Sequence, residues 1–186
     1  MRDELYEAAM QLFAERPYAE VTVAEICERG MAGRATFFRL YESKAGLLSE
    51  YNRRLAAQVR EALSAAKPSK AEDALRVVAE VVVAGWGPEH PGVNDMAQEV
   101  VATSSYVNVD AEVVPDLQHV IAEILVCGRE SGELTFLPNE RTVAWLIVAT
   151  MTATVFDWFE FGLPANRPYD QVSSVALELI VRGLIA

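Results

Sequence analysis

The sequence is poor in the side chains that bind metals or form disulfides. Its 186 residues include two cysteines and two histidines, and neither pair has metal-ligand spacing. Cys27 and Cys127 both fall in apolar helical stretches, so we expect buried free thiols in a reducing compartment. The chain also lacks G-x-S-x-G, H-E-x-x-H and a glycine-rich phosphate loop. We therefore predict no catalytic site, no metal and no cofactor.

Long hydrophobic runs and a signal peptide are missing as well. The longest stretch without a charge is fifteen residues, from Thr142 to Phe156, whereas a helix needs about 20 apolar residues to cross a bilayer. The chain starts with Met1-Arg2-Asp3-Glu4 and leads directly into an amphipathic helix. The sequence therefore predicts a soluble, cytoplasmic protein.

Basic residues are scarce overall but are concentrated in one segment. The chain has 16 Lys and Arg against 27 Asp and Glu, a net charge of −11. Residues 1–54 carry a net charge of −1, which leaves −10 on residues 55–186. Between Arg29 and Lys44, four basic residues stand against Glu42 alone, a local charge of +3. Since DNA affinity depends on phosphates neutralised locally, an acidic protein with this segment can still bind DNA.

The basic segment coincides with two short predicted helices and a tight turn. Thr22 is a good N-cap, and Glu25 three residues later completes a capping box. Gly30 and Gly33 permit the positive φ values that a sharp turn needs, so we expect the first helix to end there. A second helix follows over residues 34–41.

The second short helix has two different faces. Its apolar stripe consists of Phe37, Leu40 and Tyr41. The opposite side mixes a very small residue, a hydroxyl, an aromatic and an arginine, namely Ala35, Thr36, Phe38 and Arg39. This mixture suits close approach to another molecule, and a helix-turn-helix of this size places its second helix in the DNA major groove.

This stretch resembles the TetR-like family of bacterial transcriptional regulators. The family pattern is a helix, an A-G-V-S-like turn, a G-T-L-Y-like recognition helix, and then aromatic-x-S-K-x-x-L-L. The matching positions are Thr22, Ile26, Thr36, Phe37, Phe38, Tyr41, Ser43, Lys44, Leu47 and Leu48. The resemblance ends at about Tyr51, and it implies binding to a double-stranded DNA operator. The expected DNA-binding residues are Thr22, Arg34, Ala35, Thr36, Phe38, Arg39 and Lys44.

The sequence departs from the family pattern in the turn and in the recognition helix. Met31 stands where the family usually has Gly, and Gly33 replaces the usual capping Ser. Phe38 replaces a Tyr whose hydroxyl commonly reaches a phosphate, so that contact is not expected here. Family members often have a basic arm before the first helix, for which Arg2 is the only candidate.

Lys44 falls in the first turn of the predicted fourth helix, which Ser43 caps and which extends to about Ala66. The positive end of a helix disfavours a cation, so we interpret this lysine as half of a phosphate site formed with the free backbone N–H groups. The alternative is a solvated lysine at a helix end.

The predicted fold is all-α, with about nine helices. Residues 1–52 form a helix-turn-helix DNA-binding domain, and the long fourth helix joins it to a helical ligand-binding and dimerisation domain, residues 53–186. The valine-rich run from Ala71 to Trp86 has strand propensity, but its acidic start and alanine content favour a helix.

The last two predicted helices, about 140–161 and 169–185, are apolar around most of their circumference. One small monomer cannot bury all of that surface, so we expect a homodimer through these helices, as the resemblance also implies. A two-fold axis would set the 34–36 Å spacing between two recognition helices.

Aromatic and methionine side chains are abundant beyond residue 85, and packing explains most of them. We expect some to line a pocket for a small, largely apolar effector, which the acidity of the domain suggests is cationic. The candidates are Trp86, Met96, Tyr106, His119, Trp145, Met151 and Phe156. The predicted function is a ligand-responsive transcriptional regulator, most simply a repressor that the effector releases from a palindromic operator. The alternative is an all-α small-molecule binding protein or enzyme with a vestigial helix-turn-helix.

Overall fold

The computed structural model describes residues 1–86, 92–93, 95–97, 115–136, 139–161 and 182–184. The predicted all-α fold is confirmed, and residues 71–85 form a helix rather than a strand. The helices are α1 (Arg2–Glu15), a 3₁₀ turn (Tyr18–Glu20), α2 (Val23–Arg29), α3 (Arg34–Tyr41), α4 (Gly46–Ala66), α5 (Ala71–Gly85), α6 (Pro115–Glu130) and α7 (Glu140–Phe161).

The described residues form two compact units. The first contains residues 1–51 together with the short helical pieces 92–93 and 95–97. The second contains the remaining described residues from 52 onward. The division after Tyr51 falls inside α4. The domain ranges 1–52 and 53–186 stay a prediction of the sequence.

The core of the first unit takes one fully buried side chain from each of its four helices. Leu5, Ile26, Phe37 and Leu47 come from α1 to α4 and have no solvent exposure. Burying an apolar side chain of this size contributes about 1.5–3 kcal/mol. The first three helices are therefore fixed to one another by their apolar faces, which leaves the opposite face of α3 in solvent.

The predicted capping box at the start of α2 is confirmed. The Thr22 N–H donates to Glu25 Oε2 at 2.8 Å, and the Glu25 N–H donates to Thr22 Oγ1 at 3.3 Å. Arg16 Nη2 donates to the other oxygen of Glu25 at 2.7 Å. The hydrogen bonds from the Thr22 hydroxyl and N–H, followed by the one from Arg16, lower the pKa of Glu25 to about 2.

This capping box predicts a specific acid sensitivity. Because the pKa of Glu25 is depressed in the folded protein, the stability from its ionised form is complete above about pH 5 and is lost as the pH falls toward about 2. We expect the urea midpoint of the wild type to fall over this range, and that of Glu25→Gln to fall less. Parallel pH profiles for the two proteins would contradict this role of Glu25.

The turn between α2 and α3 is a Schellman motif with methionine at its left-handed position. The Met31 N–H donates to Glu28 O at 3.2 Å, and the Ala32 N–H donates to Cys27 O at 2.9 Å. Met31 has a φ of 49°, whereas Gly30 has −82° and Gly33 has −75°. The prediction that these glycines supply the positive φ was therefore wrong. Gly30 instead allows a close approach, since an added Cβ would lie 3.0 Å from Leu5 Cδ2.

Replacing Met31 with glycine should stabilise the protein. A side chain in the left-handed region costs about 1–2 kcal/mol, which the entropy of glycine in the unfolded state partly offsets. The Met31 side chain is 89% exposed, so its removal loses little packing. We expect Met31→Gly to raise the free energy of unfolding by about 0.5–1 kcal/mol, measured by urea denaturation. Met31→Ala keeps the Cβ and is the control; equal stabilisation by both substitutions would contradict the explanation.

The second unit packs α5, α6 and α7 around a common apolar core. Leu75 of α5, Ile121 and Leu125 of α6, and Ile147 of α7 are fully buried. The N-terminus of α5 is closed by Glu133, whose Oε2 accepts a hydrogen bond from the Ala71 N–H at 2.7 Å. The turn after α6 is thereby attached to the start of α5.

Gly128 lies where α6 meets that turn, and a larger residue does not fit there. An added Cβ would lie 2.6 Å from both Ala71 Cβ and Leu134 Cδ1. We expect Gly128→Ala to lower the free energy of unfolding by about 1–3 kcal/mol. Glu130 lies two positions later on the same helix and is exposed, so Glu130→Ala should change the free energy of unfolding by less than about 0.5 kcal/mol. Chemical denaturation of both variants tests the contrast, and equal effects would refute it.

Candidate nucleic-acid interface

The outer face of α3 presents Arg34, Ala35, Phe38 and Arg39 to solvent, and all four side chains are exposed. Thr36 is half-buried beside them. On the opposite side, Phe37 and Tyr41 are buried. The two faces expected from the sequence are therefore present.

The buried side of α3 is anchored by aromatic contacts. The Phe37 ring lies 5.2 Å from the Tyr41 ring, centre to centre. The Tyr41 hydroxyl donates a 2.6 Å hydrogen bond to the carbonyl oxygen of Arg2. These contacts attach α3 to the start of α1, so its outer face is held in a fixed direction.

The basic segment is less positive than its composition suggests. Arg29 forms two hydrogen bonds with the Glu15 carboxylate, at 2.7 and 3.0 Å. This pairing lowers the pKa of Glu15 and raises that of Arg29. By contrast, Arg34 and Arg39 have no ion-pair or hydrogen-bond partner among the residues that the structure describes. The unpaired positive charge therefore lies on the outer face of α3.

Lys44 has partners within its own unit. Its ammonium donates to Tyr18 O at 2.8 Å and to Val21 O at 3.1 Å, and it lies 3.9 Å from the centre of the Tyr18 ring. These interactions connect the segment before α4 to the segment before α2. They account for a cation at this position without a phosphate, and DNA contact by Lys44 stays a prediction.

The start of α4 differs from the prediction. The helix begins at Gly46, so the expectation that Lys44 lies in its first turn was wrong. Glu42 has a φ of 63°, and the Ser43 N–H donates to Tyr41 O at 2.6 Å, which delays the helix by a tight turn. Ser43 still acts as a cap, because its Oγ accepts from the Gly46 N–H at 3.3 Å.

Two further residues with predicted DNA roles have structural partners. Thr22 is exposed, but its hydroxyl donates to Glu25 Oε2 at 2.6 Å within the capping box. Arg2 lies in α1, where Nη1 is 3.2 Å from Oε2 of the buried Glu50 and the guanidinium lies over the Tyr41 ring at 5.3 Å. Arg2 thus belongs to the packed unit and is not a free arm.

A groove of about 460 Å³ lies within the second unit. Its lining includes the apolar side chains of Leu63, Ala74, Val120 and Ile124, together with polar groups from the helix ends. Four charged residues also line it: Arg60, Lys70, Glu123 and Glu133. In the described part of the chain neither Arg60 nor Lys70 has an ion-pair partner, whereas Glu133 accepts the hydrogen bond from the Ala71 N–H. The groove therefore offers apolar surface together with charged groups of both signs.

Cys127 also lines the groove and is exposed, so the prediction that it is buried was wrong. Its neighbours on α6 are apolar, but its own position faces the open groove. Cys27 is buried as predicted, and burial raises the pKa of its thiol.

The aromatic and methionine residues predicted to form a pocket do not line this groove. Met96 and Met151 are buried, Trp86 and Trp145 are half-buried, and His119 is exposed. Tyr106 and the side chain of Phe156 lie outside the described residues. The indole N–H of Trp145 is buried and has no hydrogen-bond partner in the described ranges. The groove was missed because its lining comes from α4, α5, α6 and the turns beside them, which no local sequence pattern brings together.

A family model for the bacterial regulatory proteins of the tetR family matches residues 5–51. Residues 5–51 therefore form a domain of the TetR family. The match confirms the resemblance seen in the sequence and contains all of α2 and α3. No curated protein matches the chain.

Solved structures extend the similarity beyond the TetR-family domain. Thermus thermophilus FadR, a TetR-family transcriptional repressor in complex with lauroyl-CoA, has 25% identity and a TM-score of 0.77 over 100% of this chain and 96% of that one. FadR from Bacillus subtilis with stearoyl-CoA has 18% identity, a TM-score of 0.61, and coverage of 98% and 99%. SmeT, the repressor of the Stenotrophomonas maltophilia efflux pump SmeDEF, has 15% identity, a TM-score of 0.61, and coverage of 100% and 91%. The likeness of fold to these regulators therefore covers 98–100% of this chain.

The described ranges contain neither a membrane span nor a metal site. None of their helices is long and apolar enough to cross a bilayer. They also hold no group of three His, Cys, Asp or Glu side chains that could bind a metal ion.

Proposed function

We propose that this TetR-family regulator is a ligand-responsive repressor that binds a palindromic operator as a homodimer. The main support is the outer face of α3, where two arginines that have no ion-pair partner among the described residues flank Ala35 and Phe38. Guanidinium groups bind guanine edges and phosphates in bidentate geometry. A helix fits the major groove of B-DNA, which is about 12 Å wide. The face therefore has the charge and the shape for operator binding.

Dimerisation would involve α7 and residues 169–185, of which the structure describes only 182–184. The support from α7 is Leu146, which is 47% exposed on a helix that carries no charge from Thr142 to Phe156. A second copy is the simplest cover for this side chain. Sedimentation of the wild type should give two chains, and Leu146→Glu should shift the mass toward one. A monomeric wild type would exclude this dimer.

The proposed effector is an amphiphile with an anionic group, of the acyl-CoA class. FadR from Thermus thermophilus was solved with lauroyl-CoA. The groove of the second unit combines apolar lining with Arg60 and Lys70, which have no ion-pair partner within the described ranges. Arg60 and Lys70 would pair with the anionic group, while Glu123 and Glu133 lie in the same lining. The proposed ligand is thus anionic, whereas the acidity of the domain suggested a cationic one. The effector would release DNA only if it binds one conformation of the dimer more tightly than the other.

Selection of bound fragments from random duplex DNA tests operator binding. We expect a palindrome whose half-sites are centred one helical turn apart, about 10 base pairs, or a multiple of it. A folded protein that enriches no sequence would contradict the proposal. It would favour the alternative, a small-molecule binding protein or enzyme with a vestigial helix-turn-helix.

Titration of the operator complex with lauroyl-CoA tests the effector class. We expect the ligand to weaken DNA binding by the wild type, and to act less on the double variant Arg60→Ala, Lys70→Ala. If lauroyl-CoA leaves the DNA affinity of the wild type unchanged, this effector class is excluded for release of the operator.

A further inference from the structure

The outer face of α3 carries an apolar patch between its two arginines. Phe38 is 43% exposed, and it is the aromatic member of the large hydrophobic side chains that are exposed in the described residues. Ala35 lies three positions earlier, so its methyl group is adjacent to the ring on the helix surface. An exposed phenylalanine ring does not contribute the hydrophobic stabilisation that a buried one gives the folded protein.

The Phe38 ring is held by its neighbour. It packs edge-to-face against Phe37, with ring centres 5.6 Å apart and an angle of 86° between the planes. Phe37 itself is fully buried. Because the exposed Phe38 ring packs against the buried Phe37 ring, it should lose little conformational freedom when a second molecule covers it.

The patch offers no hydrogen bond in its side chains. Neither a phenyl ring nor a methyl group can donate to a phosphate or to a base acceptor. In the major groove, the apolar feature that a base pair presents is the C5-methyl group of thymine, and alanine and phenylalanine are suited to contact it. Guanine, cytosine and adenine carry no methyl group there.

We infer that Phe38 and Ala35 contact a thymine C5-methyl group in each operator half-site, which makes Phe38 a determinant of sequence specificity. This inference rests on the proposed operator binding and adds the base that the apolar patch selects. Arg34 and Arg39, on either side in the sequence, would bind the polar groups around that thymine.

The test replaces each thymine of the selected operator, one at a time, with deoxyuridine, which changes only the methyl group to hydrogen. Affinity is measured by fluorescence anisotropy at one salt concentration, with wild type, Phe38→Ala and Phe38→Tyr. For the wild type we expect about a fourfold loss at one thymine position per half-site, the value for one buried methyl group. Phe38→Ala should lose less than the wild type at that position, because only the Ala35 contact remains, and Phe38→Tyr should stay as sensitive as the wild type.

Two results would overturn the inference. One is a wild type that binds every uracil-containing operator as tightly as the thymine form. The other is a Phe38→Ala variant that remains as sensitive as the wild type. Circular dichroism measures whether Phe38→Ala is folded. We expect it to fold, because the Phe38 ring is exposed. Failure of operator binding itself has a different signature, because the selection would then enrich no sequence.

Discussion

Replacing Arg39 with alanine should weaken binding to the selected operator by about 10- to 100-fold, which corresponds to about 1–3 kcal/mol. Arg39 is exposed and unpaired in the described part of the chain, so its removal should not affect folding. The loss should be largest for the preferred sequence, because a bidentate contact to a base contributes discrimination as well as affinity. Competition assays with single-base operator variants measure both effects.

Arg39→Lys separates base recognition from charge. Lysine keeps the positive charge but lacks the planar fork of donors. If Arg39 recognises a base, Arg39→Lys should lose most of the sequence preference and keep the salt dependence of the wild type. Arg76→Ala is the matched control, since Arg76 is half-exposed on α5 and paired with Glu72 in the second unit. Unchanged operator binding by Arg39→Ala would remove the principal support for the proposed interface.

Replacing Lys44 with methionine should lower the free energy of unfolding by about 2–3 kcal/mol. A hydrogen bond from a charged donor contributes about 1.5–3 kcal/mol and a cation–π contact about 0.5–2 kcal/mol. Partial exposure reduces the sum, because Lys44 is half-buried. Methionine keeps the apolar stem, so the change reports on the ammonium. Urea denaturation followed by circular dichroism measures the effect.

A DNA experiment on the same variant tests the predicted phosphate contact. The DNA-binding constant is measured as a function of salt concentration, at a temperature where Lys44→Met is folded. If Lys44 also neutralises a phosphate, the slope of the logarithm of this constant against the logarithm of the salt concentration should decrease in magnitude by about 1. An unchanged slope would restrict Lys44 to its structural role. Lys67→Met is the control for both measurements, since Lys67 is exposed and lies in the second unit. Equal stability of Lys44→Met and wild type would show that the carbonyl contacts contribute little.

Signals that span a few residues were predictable from the sequence. The capping box needs only Thr22 and Glu25, three positions apart, and the two faces of α3 follow from the period of one helix. The match to a family pattern located the same segment. Local pattern and tertiary structure agree here because each feature is formed within one or two turns of chain.

Pairings between distant parts of the chain were not predictable. The carbonyl partners of Lys44 lie 26 and 23 residues earlier, and the carboxylate that neutralises Arg29 lies 14 residues earlier. Counting charges within the segment from Arg29 to Lys44 therefore overstated its free positive charge. The residue with positive φ was predicted at the wrong position for another reason. Glycine adopts positive φ most easily, so the sequence favoured Gly30 and Gly33, whereas the Schellman hydrogen bonds place the positive φ at Met31.

The contacts of Lys44 bear on how the serine-lysine pair of the family pattern is interpreted. A lysine that joins the segment before α4 to the segment before α2 contributes to the stability of the folded domain. That contribution is the same whatever DNA sequence a protein recognises. Regulators could then diverge in their operators while keeping this pair, and its presence would identify the ancestry of a domain without predicting its target. The residues that diverge with the target should instead be those on the outer face of α3.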